Sequence, residues 1–228
     1  GEFPLRDDDT AIPLELVESA QSREVVVNEE EPILWGLDVA RFGSAKSALA
    51  KRQGRELKGM QTWQGLDLMQ LTGAVVAEYE GAGPRQRPVQ IFVDSIGVGG
   101  GVCDRLRELG LPAVGINTGE APSTKGTYSN LRAELWFKVK AWLEARDCKI
   151  PKDDNLQQDI RGIETVDGIP MITKTRAKDL KDPDLHRHGD FAGAGVLANF
   201  ATLESPSGPV TVKSRRPRQG VRITQGYA

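Results

Sequence analysis

Two short apolar runs in this chain each end on an aspartate. Ile33-Leu34-Trp35-Gly36-Leu37 runs into Asp38, and Val89 to Val93 runs into Asp94. Each run is too short for a buried helix, and turn formers bound them: Pro32 before the first, Arg41-Phe42-Gly43 after it, Gly97 to Gly101 after the second. Such runs read as buried strands. In an open α/β sheet the carboxyl ends of parallel strands form the ligand-binding edge. If the two strands are neighbours, Asp38 and Asp94 converge there.

The rest of the pattern supports that class of fold. Ser47–Arg52 and Leu57–Trp63, around Gln53-Gly54-Arg55-Glu56, read as a hairpin. Leu66–Tyr79 carries apolar residues at 68, 71, 75, 76 and 79, a helical spacing stopped by Gly81-Ala82-Gly83-Pro84. A helix follows the glycine turn through Leu109, and Ala113–Ile116 is a third short strand. Asn130–Arg146 predicts a helix with Leu131, Leu135, Val139 and Trp142 on one face. Shorter helices are expected over Pro13–Arg23 and Asn155–Ile160, a hairpin over Gly162–Thr175 around Asp167-Gly168, and a closing helix over Phe191–Leu203. This order is α/β with a mixed sheet, an antiparallel meander feeding parallel strands joined by helices.

The 228 residues suffice for one sizeable core, and no apolar run approaches the length of a transmembrane helix. The N-terminus lacks a basic region followed by an apolar stretch, so no signal peptide is expected. Two cysteines, Cys103 and Cys148, cannot build a disulfide framework or a Cys-based zinc site alone, and a reducing compartment is the default. The net charge of −2 excludes a protein that grips nucleic acid by bulk charge. It is also unevenly spread. Residues 205–228 hold five basic residues and no acid, while residues 1–204 hold 25 basic against 32 acidic, or −7. The expected organisation is a polar lead-in over 1–30, a folded domain over 31–204, and a basic, disordered tail over 205–228.

A third acid, Asp190 in His188-Gly189-Asp190, stands at the entry of the last expected helix. Three converging carboxylates repel one another unless a cation neutralises them. Hard oxygen ligands select Mg²⁺ or Mn²⁺. Two such ions would support phosphodiester hydrolysis. Taken singly, each aspartate also reads as an ordinary turn or cap residue, so the reading rests on the ensemble.

At these residues the chain resembles the nuclease domain of the large terminase subunit, the DNA-packaging motor of tailed bacteriophages. Gly36-Leu37-Asp38-Val39-Ala40-Arg41-Phe42-Gly43 matches the family's first acidic motif. Val93-Asp94-Ser95-Ile96-Gly97-Val98-Gly99-Gly100-Gly101-Val102 is similar to the second, and His188-Gly189-Asp190-Phe191-Ala192 to the third in one branch. Gly1-Glu2-Phe3-Pro4 and Asp9 to Pro13 look like the linker that follows the family's ATPase domain. Asn130 to Trp136 looks like its central helix.

The resemblance implies an RNase H-like fold with a small β-hairpin insertion. It implies two Mg²⁺ or Mn²⁺ ions on Asp38, Asp94 and Asp190 as metal-holding catalytic residues, and double-strand cutting of concatemeric viral DNA. Its partners would be double-stranded DNA, the ATPase domain of the same subunit, the portal protein and the small terminase subunit. Its place would be the host cytoplasm, at the procapsid. Two departures stand out: Ser44-Ala45-Lys46 where many members carry further aspartates, and Gly189-Asp190-Phe191 where Ala-Asp-Ala is usual. The chain has no G-x-x-x-x-G-K-[ST] loop, so an ATPase part is expected elsewhere.

Lys125, Arg132, Lys174, Arg176 and Lys178 are candidates for DNA phosphate contacts, as a nuclease indifferent to sequence would use. His186 and His188 precede Asp190 and read as solvated loop residues before ligands or proton carriers. Trp142 falls on an apolar helix face, which favours core packing over base stacking. Gly97 to Gly101 fails the dinucleotide fingerprint, because Val102 stands where the last glycine belongs. Two other readings share the acids or dispense with them: another RNase H-like enzyme, such as a junction resolvase or RNase H, and a non-catalytic module that docks on a portal through the basic tail.

Overall fold

A computed structural model describes residues 11–40, 45–123, 127–161, 163–166 and 169–174. Helix α1 (Leu14–Ser22) leads into strand β1 (Ile33–Asp38) and the hairpin β2 (Lys46–Gln53) and β3 (Glu56–Gln64). Then come α2 (Leu68–Gly81), β4 (Gln90–Asp94), α3 (Gly99–Glu108), β5 (Ala113–Ile116) and α4 (Leu131–Glu144). A short helix α5 (Asp154–Arg161) precedes a separate hairpin, β6 (Ile163–Val166) and β7 (Ile169–Lys174).

The main sheet has the order β3-β2-β1-β4-β5. β1 pairs antiparallel with β2 and parallel with β4, and β4 pairs parallel with β5. This is the expected antiparallel meander feeding parallel strands. The hairpin turn falls at Gly54, whose φ of +53° suits a residue without a Cβ. The expected hairpin near Asp167-Gly168 is present as β6–β7. The expected closing helix over 191–203, the basic tail and the first ten residues lie outside the described residues.

Side chains alternate across the sheet, so it buries two cores. Ile33, Trp35 and Leu37 of β1 join Ile91 and Val93 of β4 under Leu71 and Val75 of α2 and Val102 and Leu106 of α3. Leu34 and Phe92 face the other way, against Leu131, Leu135 and Val139 of α4. The lead-in belongs to this second core, since Ile12, Val17 and Ala20 are buried in it. Trp136 is buried there too, and the guanidinium of Arg52 lies 4.9 Å over the ring of Trp142. Both tryptophans pack; neither is free to stack on a base.

Local signals fix the helix starts. Asp67 and Gln70 form a reciprocal capping box at α2, with Gln70 N–H donating to Asp67 Oδ1 at 2.8 Å. Asn130 caps α4 by accepting the Ala133 N–H at 2.9 Å. Cys103 and Cys148 are buried free thiols, and burial pushes both above their ordinary pKa.

Candidate active site at the carboxyl edge of the sheet

β1 and β4 run side by side with Leu37 opposite Val93. One step further in that register puts Asp38 beside Asp94, on strands about 4.8 Å apart. Leu37 and Val93 both face the α2/α3 core. By alternation the next residue of each strand faces the α4 side. The two acids therefore share an edge and a face, as expected from their places after the apolar runs. Both are only partly exposed.

Asp94 is held by three donors. Its Oδ1 accepts the Ile96 backbone N–H at 3.1 Å. Its Oδ2 accepts the Thr118 hydroxyl at 3.2 Å and lies 3.5 Å from Arg132 Nη2. Arg132 Nη2 also donates to Thr118 Oγ1 at 3.0 Å. Thr118 follows β5, the next parallel strand, so its position obeys the same edge rule as the acids. It is 4% exposed.

The start of α3 sits against the same strand end. A Cβ on Gly99 would come within 1.8 Å of the Asp94 carbonyl oxygen. Only glycine lets the helix approach this closely, which accounts for one member of the glycine run. The loop after β5 is tied to α4 twice more. Leu131 N–H donates to Glu120 O at 2.8 Å, and Arg132 N–H donates to Thr118 O at 2.9 Å. Glu134, fully buried, accepts from the backbone N–H of Ser123 at 2.7 Å and from its hydroxyl. Its ammonium neighbour is Lys138, at 3.7 Å.

Of the expected site residues, the structure sets Asp38 and Asp94 at the ends of neighbouring parallel strands and ties Arg132 to Asp94. Arg132, expected at the DNA backbone, is here engaged by Asp94 and Thr118. Lys174 is the last residue of β7. Asp190, Lys125, Arg176, Lys178, His186 and His188 lie outside the described residues. Among the described residues no group of three or more His, Cys, Asp or Glu comes together. Thr118 and Glu134 were not singled out from the sequence. A polar Asn117-Thr118 pair after the third parallel strand was the available signal for the first. An acid on the inward face of an apolar helix was the signal for the second.

The five-stranded mixed sheet flanked by helices is the RNase H-like fold of terminase nuclease domains. The nuclease domain of the large terminase subunit gp2 of bacterial virus Sf6 superposes with a TM-score of 0.63, at 15% identity, over 83% of this chain and 97% of that one. The large terminase nuclease of thermophilic phage G20c with bound magnesium superposes at 0.58 and 12% identity, over 86% of this chain and 97% of that one. A K428A mutant of the Sf6 domain, solved with manganese, gives 0.63 at 15% identity over 83% and 98% of the two chains. In sequence, the Mu-like prophage FluMu protein gp28 of Haemophilus influenzae is 37% identical over 70 residues. That stretch spans 28% of this chain and 13% of the relative. No family model matches. Among the described residues no helix is long and apolar enough to cross a membrane.

Proposed function

We propose that this chain is the metal-dependent endonuclease domain of a phage terminase large subunit, cutting concatemeric double-stranded DNA during genome packaging in the infected host. One observation carries the reading: Asp38 and Asp94 end adjacent parallel strands on one face of an RNase H-like sheet. The neighbours in fold include nuclease domains solved with manganese and with magnesium.

The donor set fits a hard divalent cation. Both side chains offer carboxylate oxygens, and Asp94 is already oriented by Ile96 and Thr118. Asp38 and Asp94 would hold Mg²⁺ or Mn²⁺, with Asp190 as the third ligand. Bound there, two ions supply Lewis-acid activation of water and of the departing 3′ oxygen. No side chain need act as nucleophile. The chain's own contribution is to fix the carboxylates, and the burial of Leu37 and Val93 beneath them makes that edge rigid. DNA strands would reach the site with the help of the ATPase domain of the same subunit, since residues 1–204 carry −7. The portal and the small terminase subunit are the further partners proposed.

The test is a cleavage assay in Mn²⁺ on linear duplex, four-way junction and RNA–DNA hybrid. Duplex cutting that is abolished in Asp38→Asn and in Asp94→Asn, with wild-type melting curves, is the expected result. Full activity in both variants refutes the site. Selective cutting of the junction or the hybrid would move the chain to another RNase H-like activity.

A further inference from the structure

We propose that Arg132 is a positioning residue that acts as a built-in counter-charge: through Thr118 it holds Asp94 and sets how tightly the acid site takes a divalent cation. The inference rests on the metal-site reading above and gives it a regulating residue.

The geometry around Thr118 is the ground for it. Arg132 grips Thr118 from both ends, with its backbone N–H on Thr118 O at 2.9 Å and its Nη2 on Thr118 Oγ1 at 3.0 Å. A hydroxyl that accepts from Arg132 has one proton left to give. That proton is directed at Asp94 Oδ2, 3.2 Å away. The hydrogen-bond chain therefore has a single sense, from guanidinium to hydroxyl to carboxylate. Arg132 Nη2 also lies 3.5 Å from the same oxygen. A carboxylate offers about four acceptor positions. With Ile96 N–H on the other oxygen, three are taken. The arrangement orients Asp94, and it opposes a divalent ion both by occupying lone pairs and by charge.

A phosphate-binding arginine needs none of this arrangement. Arg132 is anchored to the threonine that also orients Asp94. Its side chain is one-third exposed and that of Asp94 13%, so water-like screening sets the lower limit of its effect. Removing a unit charge beside a divalent site under such screening changes the binding constant roughly tenfold.

The experiment is a Mn²⁺ titration of the whole 228-residue chain, with free Mn²⁺ read by electron paramagnetic resonance. Wild type, Arg132→Gln, Arg132→Met, Arg132→Lys and Asp94→Asn are compared, each with a thermal melt. The two neutral variants should bind Mn²⁺ roughly tenfold more tightly, and the lysine variant should return to within about threefold of wild type. Turnover at saturating Mn²⁺ should fall in the neutral variants, because Asp94 loses a fixed partner. Unchanged or weaker Mn²⁺ binding in whichever neutral variant melts like wild type overturns the proposal. So does a pattern in which Arg132 variants lose only DNA affinity and salt dependence, the signature of a phosphate contact. If wild type binds no Mn²⁺, or Asp94→Asn binds it equally well, the metal-site reading itself fails and this proposal with it.

Discussion

Gly99 and Gly101 stand two residues apart at the start of α3, yet alanine should act on them with opposite sign. A Cβ at Gly99 would lie 1.8 Å from the Asp94 carbonyl oxygen and 3.0 Å from its carbonyl carbon. Ordinary contact begins near 3.4 Å, so the helix and the strand end must part by roughly 1.6 Å. The obstructing atom is backbone in a close-packed sheet, and no side chain can swing aside to make room. Overpacking of this kind costs about 1–3 kcal/mol. At Gly101 the nearest atom is Leu68 Cδ1 at 3.7 Å, a normal contact. There alanine gains up to about 1 kcal/mol by helix propensity. Urea denaturation should therefore separate Gly99→Ala from Gly101→Ala by about 1–4 kcal/mol through the midpoint, with the slope unchanged. Because the displaced atom belongs to Asp94, Gly99→Ala should also lose about a hundredfold in Mn²⁺-dependent cleavage, as misplacements near 1 Å do. Equal stability of the two variants would refute the close approach of α3 to the acid-bearing strand.

Other predictions test the frame around the site. Glu134→Gln should destabilise by about 1.5–3 kcal/mol in urea, because a buried carboxylate that accepts twice from Ser123 becomes an amide with one accepting oxygen. Asn130→Ala should cost about 1 kcal/mol through loss of the α4 cap, read by the same assay. Burial raises both thiol pKa values above 9.0, so the native state keeps protons that the unfolded chain releases. Stability from this source is complete below pH 9 and falls as pH rises through the folded values. A Cys103→Ala, Cys148→Ala double variant should show a shallower alkaline decline in melting temperature.

Much of this was legible because backbone and burial rules act locally. Short apolar runs ending at Asp38 and Asp94 announced buried parallel strands, and strand alternation then put both acids on one face. The turn at Gly54 and the caps at Asp67 and Asn130 are similarly local. The role of Thr118 was not legible, because it depends on β5 lying next to β4 and on α4 returning over the edge. Arg132 read as a candidate phosphate contact, and its tie to Asp94, 38 positions away in sequence, was not legible. Gly99 stood in a glycine-rich turn, and only the packing of α3 against Asp94 distinguishes it from Gly101. The lead-in looked polar from its acids, but Val17 and Ala20 of α1 are buried in the core that α4 and α5 share.

The central claim is that Asp38 and Asp94 share a divalent cation. The most direct measurement is anomalous diffraction from crystals of this chain soaked in Mn²⁺. An anomalous peak between the two carboxylates, absent from Asp94→Asn crystals soaked in the same way, is the predicted result. Mn²⁺ bound elsewhere on the surface, with Asp38 and Asp94 free of it, would contradict the account.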